Sequence, residues 1–331
     1  MLVMAPTREL GIQIEAELRK VTPREIRAVC CYGGAPKRDQ EYALKRGCHV
    51  VIATPGRLID MLARNATNLR RATFIVLDEA DNMLEENQFA VDVRTIMGQV
   101  RPDRQVCLFS ATWQDKVEQL ADELCRHRPV HINVGGVKLG ACKNVRQDFW
   151  RLLAGEEKIE ILTRAVLKMM DSANFGQGDK ALIFCNARET VPEVTRHLRE
   201  QGYSCEGLCG TLSQAERQDL LSRFRNEEFP LLVSTALLGR GHDFQKLKYV
   251  INYDMPWNNV QYVHQIGRTG RAGTQGFALT LIEDFDVLKC KEIKMVLRES
   301  PQGHHLEIDK ACQRKEQDRY WRLRRGRGGG R

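Results

Sequence analysis

The 331-residue chain is 42% apolar and 28% charged, which is ordinary for a globular protein and long enough for two domains. Its net charge of +8 allows an anionic partner without indicating one, because such an excess also aids solubility. Apolar runs are shorter than the ~18 residues of a membrane span, and no signal peptide follows Met1. Eleven Cys without a Cys-x-x-Cys pair indicate a reduced intracellular protein without a zinc site, in the nucleus or the cytoplasm.

The first part of the chain alternates short apolar runs with helical patterns. Thr7 is a candidate N-cap, Pro55 suits the first position of a helix that continues to Ala63, and another helix is expected over about 114–126. Such alternation predicts an α/β domain with a parallel sheet covered on both faces. The predicted strands are Leu2–Ala5, Ile26–Tyr32, Cys48–Ala53, Phe74–Leu77 and Gln105–Phe109.

A second α/β unit follows a lapse in periodicity. We place a first domain at 1–134, a linker at 135–146, a second domain at 147–300 and a basic Arg/Gly-rich tail, expected to be disordered, at 301–331. Residues Asn144 to Arg151 carry little pattern. The strands predicted in the second domain are Ala181–Cys185, Ser204–Leu208, Leu231–Ser234, Tyr249–Tyr253 and Phe277–Ile282.

Three carboxylates follow the buried run Phe74–Leu77 directly, in Asp78-Glu79-Ala80-Asp81. Acidic residues at the carboxyl end of a parallel strand lie where open α/β sheets bind ligands. One Asp can hold Mg²⁺, usually through water, and an adjacent Glu can orient an attacking water. The alternative is an acidic first turn of the next helix, which the helix dipole favours.

A second charged motif, His264-Gln-Ile-Gly-Arg268-Thr-Gly-Arg271, places two Arg three residues apart. Guanidinium groups converging on one anion suit phosphate oxygens and can stabilise a transition state as an arginine finger. The alternative is a solvated basic loop.

These motifs resemble the DEAD-box family of ATP-dependent RNA helicases when they are taken with Pro6-Thr7-Arg8-Glu9-Leu10, Thr54-Pro55-Gly56-Arg57 and Ser110-Ala111-Thr112. The resemblance runs from Met1 to about residue 300. It implies two RecA-like parallel-sheet domains in tandem, with ATP and Mg²⁺ as cofactors and RNA as the partner. It also implies ATP hydrolysis coupled to local RNA unwinding or RNP remodelling, in a protein that is monomeric and open to protein cofactors.

The resemblance also assigns roles around the triphosphate. Asp78 would hold Mg²⁺ through water, Glu79 would position the attacking water, and Arg268 and Arg271 would reach the γ-phosphate. Ser110 and Thr112 would hydrogen-bond neighbours such as Asp81 and His264; the alternative for both is a helix cap. Asp243 would contact the ribose beside Gly241. Three residues depart from the family pattern, namely Ala236, His242 and Gln265.

RNA contacts are implied mainly to the sugar-phosphate backbone of single strands, which fixes register without reading bases. Each candidate could equally be a cap or a surface residue. The tail, with Tyr320 and Trp321 beside Arg residues, could add stacking, or could be a solvated terminus. The candidates are Thr7, Arg8, Gly34, Thr54, Arg57, Arg188, Gly210, Thr211 and Thr235.

No Gly-Lys-Ser or Gly-Lys-Thr occurs in the sequence, although family members carry such a phosphate-binding loop ahead of the strand that Leu2 begins here. We therefore expect an incomplete first domain that binds ATP poorly, unwinds little and aggregates. Three hypotheses remain: an RNA helicase of which this is an incomplete record, a non-catalytic RNA-binding short form that acts as adaptor or competitor, and a DNA-directed helicase or translocase.

Overall fold

The computed structural model divides into two compact units, Met1–Val134 and Gly135–Arg331, each with its own sheet. The structure describes residues 1–85, 87–113, 115–133, 143–238, 244–271 and 273–313. Both sheets are parallel throughout and carry helices, so the predicted α/β class is confirmed. Within the described residues, no helix has the length and apolar character that a membrane crossing requires.

The first sheet has five strands in the order β2-β3-β1-β4-β5. Its strands are β1 (Leu2–Met4), β2 (Ala28–Cys31), β3 (Val50–Ala53), β4 (Phe74–Leu77) and β5 (Gln105–Leu108). Its helices are α1 (Arg8–Val21), α2 (Lys37–Lys45), α3 (Pro55–Ala63), α4 (Ala80–Glu85), α5 (Asn87–Met97) and α6 (Asp115–Leu124).

The register of this sheet aligns the carboxyl ends of its central strands. Met4 pairs with Ala53 on one side and with Leu77 on the other. Residues that directly follow β3, β1 and β4 therefore lie at one edge. β5 is an edge strand of this sheet, and its apolar side chains are only partly buried; Phe109, which follows it, is 58% exposed.

The second sheet has six strands in the order β6-β11-β10-β7-β9-β8. Its strands are β6 (Val145–Arg151), β7 (Lys180–Phe184), β8 (Cys205–Leu208), β9 (Leu231–Ser234), β10 (Leu247–Asn252) and β11 (Gly276–Ile282). Its helices are α7 (Lys158–Met170), α8 (Thr190–Glu200), α9 (Gln214–Arg225), α10 (Asn259–Ile266) and α11 (Val287–Arg298).

Strand β6 was not predicted, because residues 144–151 carry little sequence pattern. It pairs with β11 from Val145 onward, so the last two residues of the expected linker belong to the sheet. Its inward positions include the polar Gln147, which is 1% exposed and accepts a 2.7 Å hydrogen bond from the Tyr262 hydroxyl. A buried polar residue in the middle of the strand hides the alternation that would have indicated it.

The beginning of the expected tail is folded. Residues 306–313 are helical, and the side chains of Ile308, Ala311 and Cys312 are buried in a core cluster with residues of α11. The expectation of disorder was therefore wrong for this part. The apolar spacing of a short helix was masked by the polar residues around it. The remainder of the expected tail lies outside the described residues.

Candidate functional site

The acidic turn begins where central strand β4 ends. The Asp78 amide donates to the Met4 carbonyl of β1 at 3.0 Å, and the Ala80 amide donates to the Phe109 carbonyl at 3.0 Å. Between them Glu79 has φ 51°, in the left-handed region that side-chain-bearing residues rarely adopt. Backbone strain of this kind is concentrated at functional sites, where surrounding contacts maintain it.

The second Asp of the motif is locked to the Ser-Ala-Thr motif. The Thr112 hydroxyl donates to Asp81 Oδ2 at 2.7 Å, and both side chains are buried. The Ser110 hydroxyl accepts from the Asp81 amide at 3.3 Å and donates to the Thr112 carbonyl at 2.7 Å. The expected hydrogen bonding between these motifs and Asp81 is therefore present. Any movement of the Ser110–Thr112 segment must disturb α4 and the acidic turn.

The carboxylate of Asp78 lies in surroundings that disfavour its charged form. Burial, and then the carboxylates of Glu79 and Asp81, raise the pKa of Asp78 above its ordinary value, although the hydrogen bond from the Glu79 amide opposes this. Asn82 Nδ2 donates to Glu79 Oε2 at 3.3 Å and orients that carboxylate. The sequence analysis missed Asn82, although its place three residues after Glu79 in a helix start could have indicated the contact.

The acidic turn suits Mg²⁺ only with help from other ligands. No group of three or more His, Cys, Asp or Glu side chains that could hold a metal occurs in the described part of the chain. Mg²⁺, however, usually keeps several waters and takes one or two carboxylates together with substrate phosphates. Asp78, whose charged form is disfavoured by burial and by neighbouring carboxylates, fits that role because a cation would offset both effects.

The RNA-contact candidates of the first unit lie at the same edge as the acidic turn. Thr7 follows β1 and caps α1, since its hydroxyl accepts from the Leu10 amide at 3.3 Å. Thr54 follows β3 and precedes Pro55 at the start of α3. Gly34 follows β2 with φ 87°, and Arg8 begins α1. Neighbouring strand ends thus bring these candidates together.

Arg57 differs from the other candidates. Arg57 is 9% exposed, and its guanidinium donates to the Ala35 carbonyl at 3.2 Å and to Gln40 Oε1 at 2.8 Å. These contacts connect α3 with the turn that contains Gly34 and with α2. Gln40, which also donates to the Tyr32 carbonyl, was not indicated by the sequence.

The arginine motif of the second unit forms a turn after α10. Arg268 Nε donates to the His264 carbonyl at 3.1 Å, and Arg271 Nε donates to the Gly267 carbonyl at 2.9 Å. Each guanidinium is thus fixed by the same contact to the residue four positions earlier. His264 and Gln265 are buried in the last turn of α10.

Two residues between the arginines attach this turn to the sheet. The buried Thr269 hydroxyl donates to the carbonyls of Leu247 and Lys248 at 2.7 and 2.9 Å. Gly270 has φ 69°, and a Cβ there would lie 2.6 Å from Val145 Cγ2. Gly267 has φ −69°, so it is required by space and not by conformation: a Cβ would lie 2.9 Å from the Val263 carbonyl.

The remaining RNA-contact candidates follow neighbouring strands of the second sheet. Arg188 follows β7 and has a side chain that is 67% exposed. Gly210 and Thr211 follow β8, and Thr235 follows β9. Asp243 and Gly241, the residues expected at the ribose, lie outside the described residues.

A partly buried hydrogen-bond network supports the segment after β7. The Asn186 amide donates to Asp254 Oδ2 at 2.8 Å, and Asn186 Nδ2 donates to the Met255 carbonyl at 2.9 Å. Asp254 also pairs with Lys158 Nζ at 2.5 Å. Burial alone would lower the pKa of Lys158, but its hydrogen bonds to Asp254 and Glu283 outweigh burial and raise it. The sequence analysis missed this network because its members are far apart in the chain.

Comparison with known proteins agrees with these two halves. Residues 1–120 match the model of the DEAD/DEAH box helicase family, and residues 157–273 match that of the helicase conserved C-terminal domain. The ATP-dependent RNA helicase dbp2 of Emericella nidulans is 41% identical over 302 residues, which cover 91% of this chain and 52% of the relative. DBP2 of Saccharomyces cerevisiae is 41% identical over 329 residues, covering 99% of this chain and 59% of the relative.

A solved structure shows the same architecture. The DEAD-box helicase Mss116 bound to ssRNA and UDP-BeF superposes with a TM-score of 0.77 at 26% identity, covering 94% of this chain and 66% of that one. The chain spans between half and three-fifths of the length of the two curated relatives.

Proposed function

Because the chain belongs to the DEAD-box helicase family, we propose that it couples ATP hydrolysis to local unwinding of RNA duplexes or to remodelling of RNA–protein complexes. The acidic turn after β4 carries this proposal. There Asp78 and Glu79 project from the end of a central strand, and Asp81 is held by Thr112. This is the crevice in which open α/β sheets bind ligands.

The first unit supplies the groups that act on water and metal. Glu79, oriented by Asn82, positions the attacking water and accepts its proton. Asp78 would hold Mg²⁺, which would supply positive charge to offset the negative charge of the triphosphate. The Asp81–Thr112 hydrogen bond keeps α4 in register with the Ser-Ala-Thr segment. Phosphate binding and the position of that segment are thereby coupled.

The second unit supplies cations for the same triphosphate. Arg268 and Arg271, fixed through their Nε atoms, present guanidinium groups to the γ-phosphate and stabilise charge in the transition state. Asp243 contacts the ribose. Because acids come from one unit and guanidinium groups from the other, hydrolysis requires that the two units close on one ATP.

Single-stranded RNA binds across the strand ends of both sheets. Hydroxyls, glycine amides and Arg188 contact sugars and phosphates, and contacts to 2′-hydroxyls make the site prefer RNA to DNA. RNA and ATP both favour the closed state, so each tightens the binding of the other. The bound strand is bent, which strips a short duplex, and phosphate release reopens the site.

The 331-residue chain by itself hydrolyses ATP slowly. Its sequence contains no Gly-Lys-Ser or Gly-Lys-Thr, the loop whose amides and Lys cradle phosphates in related nucleotide sites. Loss of that much preorganised charge costs several orders of magnitude in turnover. A second candidate function is that of an RNA-binding adaptor or competitor without hydrolysis, for which the RNA-contact candidates would be needed and the catalytic Glu79 would not.

RNA-stimulated ATP hydrolysis by the purified chain tests the proposal. We expect slow turnover that single-stranded RNA stimulates more than DNA of the same sequence does, and that Glu79→Gln abolishes. The control Glu17→Gln, on the exposed face of α1, leaves turnover unchanged. RNA binding without turnover that responds to Glu79→Gln would favour the adaptor function. Equal stimulation by DNA would contradict the RNA-directed function.

A further inference from the structure

Large apolar side chains are exposed at one edge of the second sheet. Leu153 follows β6, Phe285 follows β11 and Trp257 follows β10, and these side chains are 64%, 72% and 63% exposed. The three strands are neighbours and run parallel, so residues after their carboxyl ends lie on a common edge. Leu288, in the first turn of α11, is 65% exposed. We call Leu153, Trp257, Phe285 and Leu288 the apolar edge patch.

Polar contacts join the segments that carry the patch. Arg151 Nη2 contacts Asp284 Oδ1 at 2.6 Å, which ties the end of β6 to the residue before Phe285. Lys289 Nζ lies 3.1 Å from Asp286 Oδ1 and 4.7 Å from the centre of the Trp257 ring. The four apolar side chains therefore belong to one surface. Exposed apolar groups gathered in this way mark interaction sites.

The charges around the patch favour a cationic occupant. Among the described residues, the ion pairs at this edge join three cations to four carboxylates, and the Asp284 side chain is 71% exposed. A nucleic-acid strand would meet an excess of negative charge here. An apolar segment flanked by Arg would bury its side chains and complement the carboxylates. The cations are Arg151, Lys158 and Lys289, and the carboxylates are Asp254, Glu283, Asp284 and Asp286.

The described part of the chain ends beside this patch. The 306–313 helix packs on α11: Asp309 pairs with Lys294 at 2.6 Å, and Cys312 lies in one core cluster with Cys290, which is one turn nearer the start of α11. Residue 313 therefore lies near the first turn of α11, which carries Leu288. The last described residue, Gln313, is therefore close to the patch.

The following sequence has the chemistry that the patch requires. Residues 319–325 read Arg-Tyr-Trp-Arg-Leu-Arg-Arg, with Tyr320, Trp321 and Leu323 set among four Arg. Trp321 is eight positions after Gln313, a reach of up to about 27 Å when the chain is extended. A tether of this length gives the segment an effective concentration at the patch on the order of millimolar.

We propose that residues 319–325 bind the apolar edge patch of their own chain, with Trp321 and Leu323 covering Phe285, Leu288 and Trp257 and the arginines facing Asp284 and its neighbours. The patch is then an intramolecular docking surface. The Arg residues of the segment are held beside β7, the strand next to β10, and thus beside the segment that carries Arg188.

Hydrogen exchange on the full 331-residue chain tests the docking. Replacing Trp321 and Leu323 together by Ser should make peptides covering 152–156, 255–258 and 283–289 exchange at least about threefold faster. Replacing Arg327 and Arg331 by Ser, in the same tail but outside the proposed segment, should leave these peptides unchanged. Equal exchange in the wild type and the Trp321/Leu323 variant would overturn the proposal.

A second variant approaches the contact from the patch. Phe285→Ser should expose residues 319–325 and speed tryptic cleavage there about threefold or more, because docked segments resist proteolysis. Leu167→Ser, at a 50% exposed position on α7, is the matched control and should not change it. Protection that disappears on dilution would show a second copy as the occupant, and protection that appears only with an RNA oligonucleotide would show RNA. Either result would contradict an intramolecular contact.

Discussion

At the scale of single residues, the acidic turn formed by residues 78–81 places the Asp78 carboxylate where the fold disfavours its charged form. The pKa of Asp78 is raised by burial first and then by the Glu79 carboxylate, and Glu79 itself has a left-handed backbone. Both features lower stability, and both place oxygen ligands at the end of β4. A bound cation would relieve the repulsion between these carboxylates. The fold therefore loses stability at this site because the site is already arranged to bind a cation.

We predict that Asp78→Asn stabilises the protein at pH 7. Because the folded pKa of Asp78 is raised, its contribution to stability is full below its ordinary value of 3.8 and is lost as pH rises through the folded pKa. The amide keeps the acceptor for the Glu79 amide and removes the charge. The unfolding temperature of Asp78→Asn at pH 7 should exceed that of the wild type by on the order of 2 °C. The difference between the two proteins should vanish below pH 3.8.

Asp60→Asn is the opposite control for this prediction. Hydrogen bonds from Lys37 and Arg64 lower the pKa of Asp60, so its charge favours the folded state at pH 7. Its replacement should lower the unfolding temperature or leave it unchanged. A destabilised Asp78→Asn variant would show that the burial argument is wrong.

Two glycines near Arg268 and Arg271 allow the cost of a left-handed backbone to be distinguished from the cost of a steric clash. Gly270 and Gly273 both have positive φ, but only at Gly270 would a Cβ meet other atoms, at 2.6 Å from Val145. Gly273→Ala should lower the free energy of unfolding by about 1 kcal/mol, the cost of the left-handed conformation. Gly270→Ala should lower it by about 1–3 kcal/mol more, because the backbone or β6 must shift. Urea unfolding measures both, and equal losses would contradict the packing argument.

At the scale of elements, sequence patterns predicted the strands of both sheets except β6, and the missed strand is one whose inward face carries a polar residue. Phe74–Leu77 is a continuous apolar run and was predicted with its observed bounds. β6 was missed because Gln147 occupies an inward position, where its side chain accepts a hydrogen bond from the Tyr262 hydroxyl of α10. The hydrogen bonds of Arg57 to Ala35 and Gln40 were likewise not predicted, although Arg57 itself was a candidate for RNA contact. Such long-range polar contacts leave no trace in local periodicity.

The outer edge of β6 is covered by the side chain of Gln302, whose amide makes the two backbone hydrogen bonds that a neighbouring strand would make. Gln302 Oε1 accepts from the Gln147 amide at 2.7 Å, and Gln302 Nε2 donates to the Gln147 carbonyl at 2.8 Å. Beside this contact, His305 hydrogen-bonds Asp148 and lowers the pKa of that carboxyl. The polypeptide after α11 thus covers an edge that would otherwise offer backbone groups to other chains.

We predict that Gln302→Ala destabilises the second unit by about 1–3 kcal/mol, because two hydrogen bonds to the backbone are lost. It should also increase self-association, seen as a higher mass in light scattering at the same protein concentration. His304→Ala, at a side chain that is 81% exposed, is the neighbouring control and should change neither quantity. If Gln302→Ala had the same free energy of unfolding and the same mass as the wild type, other contacts would be protecting the edge of β6.

At the scale of the whole molecule, the sequence predicted two α/β units and the motifs each would carry. The strand ends then assemble those motifs within each unit: Thr7, Thr54 and Asp78 follow neighbouring strands of the first sheet, and Arg188, Thr211 and Thr235 follow neighbouring strands of the second. The proposed mechanism adds one step to this, namely that the units close on one ATP when RNA is bound. Its reciprocal consequence is that ATP must tighten RNA binding.

The most direct test is the affinity of a fluorescent single-stranded RNA, measured by anisotropy with and without ADP–beryllium fluoride at saturating millimolar concentration. We predict about 5–150-fold tighter RNA binding with the nucleotide, the usual range of allosteric coupling. Asp78→Asn in the first unit and Arg271→Ala in the second should each remove the coupling, whereas Arg298→Ala should preserve it. Equal RNA affinity with and without nucleotide, or coupling that survives either of the first two substitutions, would contradict the closure of both units on one nucleotide.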